Sequence, residues 1–330
     1  MHTQSKFALV IVTEPSCYRV EMHDVQIRLN HHARSSQLAS SNSLVDVSLI
    51  RNDIFDRQYK NVSLFHLPPE STTTVRSLTA EGNSGTLISL NQSEISFRNS
   101  MFSRNTAYRN GLIFADGSDM SAEVTVFESN NCKRNGAIVQ ALDGTNVSFS
   151  SVNFSSNAGP LGGAVLLIGP ENVLFQSCSF ESNVASLSGR ATGEGGAVRI
   201  DGDEFASRRS SVQISSCIFF NNSAVIGGGM AVRSLYRSEL IVNGSRFVEN
   251  FAEQEDGFSF GGAVSIVDTF NCVFRVERSV FASNVAGSRG GAVGVAYSSG
   301  KFRFITSNFS QNVAVDGGAV SVVSVSDAGR

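Results

Sequence analysis

Apolar residues in this chain recur in short alternating pairs, not on a helical period. Ile95/Phe97, Val147/Phe149, Val173/Phe175, Val212/Ile214, Leu240/Val242, Phe274/Val276 and Phe302/Phe304 are each separated by one residue, and only Met120/Ala122 is a weak member. Alternation over three to five residues predicts short strands with one buried face. Five residues after the second member of each pair stands a phenylalanine, at 102, 127, 154, 180, 219, 247, 281 and 309. An asparagine follows each of them three residues on, giving Phe-x-x-Asn eight times.

Successive phenylalanines lie 25, 27, 26, 39, 28, 34 and 28 residues apart. The short values cluster, and insertions at definable places account for the two long ones, so the period is that of one turn of a solenoid. A glycine pair opens the next segment in most copies, with the weaker Asn-Gly-Leu (110–112) and Asn-Gly-Ala (135–137) in the first two. Gly-Gly-Ala-Val occurs at 162–165, 195–198, 261–264, 290–293 and 317–320, with Gly-Gly-Gly at 227–229. The position two before each phenylalanine is small, as in Ser100, Cys178, Cys217 and Ser245. The odd step between that position and the apolar pair requires a turn or bulge.

Each repeat therefore predicts three strands: one after Gly-Gly-Ala, one at the apolar pair and one ending at Phe. Three strands and three corners in such a repeat make one coil of a right-handed parallel β-helix, an all-β, pectin-lyase-like solenoid whose coils stack about 4.8 Å apart. The phenylalanines form an aromatic column, each worth about 1.5–3 kcal/mol on burial. The asparagines form an amide ladder across one corner, and the glycines serve a corner that needs a positive φ or a close backbone approach. Residues 81–330 are assigned to the coil. Residues 1–80 lack the motif but hold alternating runs such as VQIRL (25–29) and LVDVSLI (44–50). They are read as degenerate early coils or a cap. After Val320 no apolar pair and no further Phe follow, so the last coil is expected to present an edge that another segment covers.

Gly-Gly-Ala-Val combined with Phe-x-x-Asn resembles the repeats of the chlamydial polymorphic outer membrane proteins and of related eukaryotic β-helix proteins, over residues 102–320. The resemblance implies a pectin-lyase-like right-handed coil and, for the chlamydial proteins, a surface-exposed adhesin exported as an autotransporter. It places this chain as a module of a longer surface protein, or as a eukaryotic relative, at the cell surface or outside the cell.

The 330 residues carry a net charge of -3, with 41% hydrophobic and 17% charged residues, and this fits a folded protein. No basic stripe exists to neutralise phosphates, so no nucleic-acid partner is expected. The run FALVIV (7–12) does not make a signal peptide, and no segment approaches the roughly 18 apolar residues of a membrane-spanning helix. The cysteines at 17, 132, 178, 217 and 272 include no Cys-x-x-Cys pair, so no zinc site is expected. Cys178 and Cys217 are read as small core residues in adjacent coils. Seven Asn-x-Ser sequons, at 61, 91, 146, 153, 221, 243 and 308, agree with secretion in a eukaryote.

Two insertions, 184–194 and 251–260, lengthen the same corner in two coils that flank a shorter one. The notch between them is the candidate ligand site, with Arg190, Glu194, Glu253, Glu255 and Asp256 at its rim and a glycan or cell-surface receptor as the expected partner. The alternative is a pair of solvated loops, which corners accept cheaply. Asp201, Asp203 and Glu204 would offer hard oxygens to calcium, but the same corner reads ADGSD (115–119) and LDGTN (142–146), where Asp and Gly serve turns. No metal or cofactor is expected. All five histidines (2, 23, 31, 32 and 66) fall in the irregular region, and outward strand positions carry mostly Ser, Asn and Gln with scattered charges such as Arg199, Glu239 and Arg303. A non-catalytic adhesive or structural module is the leading reading, and a polysaccharide lyase, hydrolase or epimerase of this fold is the alternative.

Overall fold

A computed structural model describes residues 69–323 except 71, 135, 186–192, 204–207 and 254–258, together with strands at 26–27, 36–37, 43–46, 49–51 and 65–67. Every paired strand is parallel to its neighbours, in four sheets of 11, 7, 11 and 10 strands. The coils from Thr106–Ala107 to Val285–Ala286 pass through all four in turn, and those before and after through three. The glycine-led sheet holds strands such as Val198–Asp201, and the apolar-pair sheet holds strands such as Asn172–Gln176. The Phe sheet holds Met101–Ser103 and its successors. A fourth sheet of two-residue strands such as Ser223–Ala224 follows the asparagines. Three strands per coil were expected. The fourth is too short to show alternation, and Phe lies in the middle of its strand instead of ending it. The short strands before residue 81 join the same ladders as the later ones, with Gln26–Ile27 beside Leu49–Arg51 and Leu49–Arg51 beside Thr79–Glu81.

The phenylalanines stack face to face from Phe102 to Phe309, at centroid separations between 4.5 and 5.0 Å. That spacing is the strand separation itself, so a flat ring fills each coil's share of the core without a gap. Ile95, Phe97, Phe149, Phe175, Ile214 and Val242 pack beside the column inside the same core.

Single left-handed residues make the two corners that flank the Phe strand. Three positions before each Phe, Asn99, Val124, Ser151, Ser177, Ser216, Gly244, Arg278 and Thr306 have φ between 47° and 58°. Two positions after it, Arg104, Ser129, Ser156, Ser182, Asn221, Glu249, Ser283 and Gln311 have φ between 53° and 55°. One αL residue turns the chain sharply and resolves the odd step in the sequence pattern.

The asparagine ladder closes the next corner. Asn183 N and Nδ2 both donate to Asn222 Oδ1, at 2.9 and 3.0 Å, and Asn222 Nδ2 donates back to Phe180 O at 2.9 Å. The same three bonds recur from Asn105 to Asn284. A second ladder runs through the small position before Phe: Cys217 N donates to Ser245 Oγ at 3.1 Å, and Ser245 N to Ser279 Oγ at 3.1 Å. Cys178 and Cys217 are unbridged members of it, with Cys178 N donating to Cys217 Sγ at 3.4 Å.

Candidate functional site

The outer faces of the two long sheets differ, and the difference places the site. On the glycine-led sheet, Leu166, Ala231 and Ser265 point outward by alternation, yet they are 1%, 0% and 0% exposed. They are covered. Just before each glycine pair the chain folds over this face as a row of single bridges: Leu161, Glu194, Ile226, Phe260, Arg289 and Asp316. Contact is close enough that a Cβ on Gly294 would lie 2.6 Å from the Phe260 ring. The expectation that the long corners project and carry a rim is therefore corrected at Glu194, which is 7% exposed and belongs to this covering row.

Glu194 anchors an ion cluster under that cover. Its carboxylate lies 3.1 Å from Arg199 Nη1 and 2.8 Å from Arg233 Nη1. Arg199 also grips Asp201, with Nε 2.9 Å from both carboxylate oxygens and Nη2 2.8 Å from one. Burial alone would lower the pKa of the Arg233 guanidinium, but the charge and hydrogen bond of Glu194, with Asp201 and Asp268 beyond, hold it above its usual value. The opposite charges offset one another, with Glu194 Oε2 held by the charge of Arg199 and not by a hydrogen bond. Asp201 is thus committed to an arginine, and no metal-ligating group of three occurs among the described residues. Glu253 accepts from Ser223 Oγ at 3.4 Å. Arg190, Glu204, Glu255 and Asp256 lie outside the described residues.

The apolar-pair sheet keeps its outer face open, and a groove of about 330 Å³ runs along it across five coils. Ser121, Ser148, Leu174 and Gln213, in register, make the floor. One wall is a polar row of Glu94, Asp119, Asn146, Asn172 and Ser211. Inside this row Asn172 Nδ2 donates to Asn146 Oδ1 at 2.7 Å, and Asn146 N and Nδ2 donate to Asp119 Oδ1 at 3.1 and 2.8 Å. Each carboxamide is held by its neighbour, so the wall is set before any ligand arrives.

Sequence reading missed this row, although its signal was present. Glu94, Asp119, Asn146 and Asn172 stand eight residues before successive phenylalanines and share their 25-, 27- and 26-residue spacing. The groove lining offers carboxylates, carboxamides and hydroxyls beside the apolar Met120, Val147, Val173 and Leu174, and none of its residues is Lys, Arg or His. Such a surface can exchange many hydrogen bonds with a polyhydroxylated chain.

No helix of the described residues is long and apolar enough to cross a membrane. Comparison with curated proteins finds no match by sequence. Among solved structures, the chain is similar to the A-module of the mannuronan C-5 epimerase AlgE6 of Azotobacter vinelandii. That match has 11% identity and a TM-score of 0.42, over 94% of this chain and 91% of the other. The AlgE4 A-module of the same organism gives 10% identity and a TM-score of 0.36, over 92% and 90%. The family model described as "Right handed beta helix region" matches residues 86–275. With that match spanning more than half of its length and parallel strands throughout, the chain belongs to the right-handed β-helix family.

Proposed function

We propose that the chain is a non-catalytic surface module whose β-helix displays a glycan-binding groove on the outer face of the apolar-pair sheet. The observation that carries this reading is the wall Glu94, Asp119, Asn146 and Asn172, which repeats once per coil above a floor of Ser121, Ser148, Leu174 and Gln213. A polymer of similar units finds similar partners at each coil, and affinity accumulates along its length. The two carboxylates stand next to each other in one wall instead of facing each other across the floor. Glycoside hydrolysis needs an acid and a second carboxylate that flank the bond, and lyase or epimerase chemistry needs a base and an acid in reach of one sugar. The resemblance of the paired motifs to chlamydial surface adhesins supports a place at the cell surface or outside the cell, as do the sequons.

What favours the second reading, a carbohydrate-active enzyme, is that two carboxylates, Glu94 and Asp119, line the open groove at all, and one experiment separates the two. Protein made without N-glycosylation, because Asn146 begins a sequon, is titrated with a panel of oligosaccharides, and each mixture is then chromatographed after long incubation. The expected outcome is saturable binding with chain lengths and composition unchanged. Binding should weaken at least about tenfold in Asn146→Ala/Asn172→Ala, since two bidentate-capable groups are lost. Shortened, unsaturated or epimerised products would establish the enzyme. The notch remains a proposed second contact through Glu253. A loss of binding in Glu253→Ala, with the groove double variant unaffected, would move the ligand to the long corners.

A further inference from the structure

We infer that the groove selects uncharged glycans and rejects polyuronates, an inference that rests on the glycan-binding reading above. The lining holds two carboxylates, Glu94 and Asp119, and no cation. The arginines close to it in the chain stand outside the lining, among them Arg208 and Arg209, three and two residues before Ser211. Arg98, on the other side of the same sheet face, pairs with Glu123 at 3.4 Å. Arg208 lies over the corner at Gly144, where its Nη1 is 2.6 Å from the place a Cβ would take, and it is not part of the lining.

Hydrogen-bond direction acts against a carboxylate group in the same sense as charge. In the wall, the carboxamides donate toward Asp119, which ends the run as a pure acceptor through Oδ1. Glu94, in register beside it, is likewise a pure acceptor and takes a hydrogen bond from Thr72 Oγ1 at 3.4 Å. A ligand group that meets this end of the wall must donate. Sugar hydroxyls and acetamido N–H groups can do so, whereas a uronate carboxylate only accepts and brings a like charge. Strands about 4.8 Å apart place Glu94 and Asp119 close enough to repel the same incoming anion.

The test uses cello-, manno- and xylohexaose as uncharged probes and hexamannuronate as the anionic one, titrated calorimetrically into the protein at low and at physiological salt. At least one uncharged hexaose should bind about tenfold more tightly than hexamannuronate, and the difference should shrink as salt screens the wall. The double variant Glu94→Gln/Asp119→Asn removes both charges. It keeps the carbonyl oxygens that accept from Thr72 and Asn146, so folding is preserved and the row of carboxamides grows from two to four. In it, discrimination should fall: the ratio of the hexamannuronate to the uncharged-hexaose dissociation constant should drop at least about fivefold from its wild-type value, whatever the uncharged hexaose itself gains or loses at the altered acceptors. Equal or tighter binding of hexamannuronate by the wild type would overturn the inference and leave the glycan-binding reading standing, as would a double variant with unchanged discrimination. Failure of every saccharide to bind would remove the reading and this inference with it.

Discussion

Alanine at Gly196 is expected to lower the unfolding free energy by about 3 kcal/mol or more, the upper end for overpacking. Gly196 is the second glycine of its pair, and its φ is not positive, so the effect is one of space. A Cβ there would lie 1.9 Å from Gly228 O and 2.6 Å from Ser223 N, both in the next coil. Neither atom can swing aside, because each is backbone held in register; Gly196 N itself donates to Gly227 O at 3.0 Å. The first glycine answers a different need, with Gly195 at φ 68°. Gly244→Ala is the matched comparison, because Gly244 has φ 58° and no atom nearer than 3.9 Å to the added carbon. It should cost only about 1 kcal/mol, the price of an L-residue in the left-handed region. Urea denaturation followed by circular dichroism measures both. Equal losses would show that conformation, not coil-to-coil approach, fixes the glycine pair.

Asn222→Ala should cost about 3–5 kcal/mol, because it leaves several buried groups without partners at about 1–3 kcal/mol each. Asn222 is fully buried. Its Oδ1 accepts from Asn183 N and Nδ2, and its Nδ2 donates to Phe180 O and Asn250 Oδ1. Its neighbour Asn221 is exposed and has one side-chain bond, to Ser182 Oγ at 3.1 Å, so Asn221→Ala should stay near 1 kcal/mol, the αL cost again. Since each coil touches only its neighbours, the damage should concentrate there. Hydrogen exchange is expected to show the strands Ser179–Glu181 and Ile218–Phe220 opening before those several coils away.

The parts of the fold that are legible in the sequence are those where one side-chain identity repeats. Phe at the column, Asn at the ladder and Gly-Gly at the corner each answer a demand that few residues meet, so their spacing reveals the coil. The left-handed corners are not legible, because residues as different as Val124, Arg278 and Ser177 adopt the same φ; the coil imposes the conformation on whatever stands there. The covering row is hidden for a similar reason. Leu161, Glu194, Phe260 and Arg289 share a backbone position and no chemistry, and nothing in the sequence around Glu194 marks the two arginines that meet its carboxylate from its own coil and the next. The groove is an intermediate case: its polar row keeps the repeat spacing, but only the openness of one sheet and the covering of the other give the row a role.

A crystal structure of the protein with the tightest-binding uncharged hexaose tests the central claim most directly. The account predicts an intact chain lying along the outer face of the apolar-pair sheet, over Ser148 and Leu174 and hydrogen-bonded to Asn146 and Asn172. A saccharide seated against the long corner at Glu253 would contradict it, as would a cleaved or epimerised one beside Glu94 and Asp119.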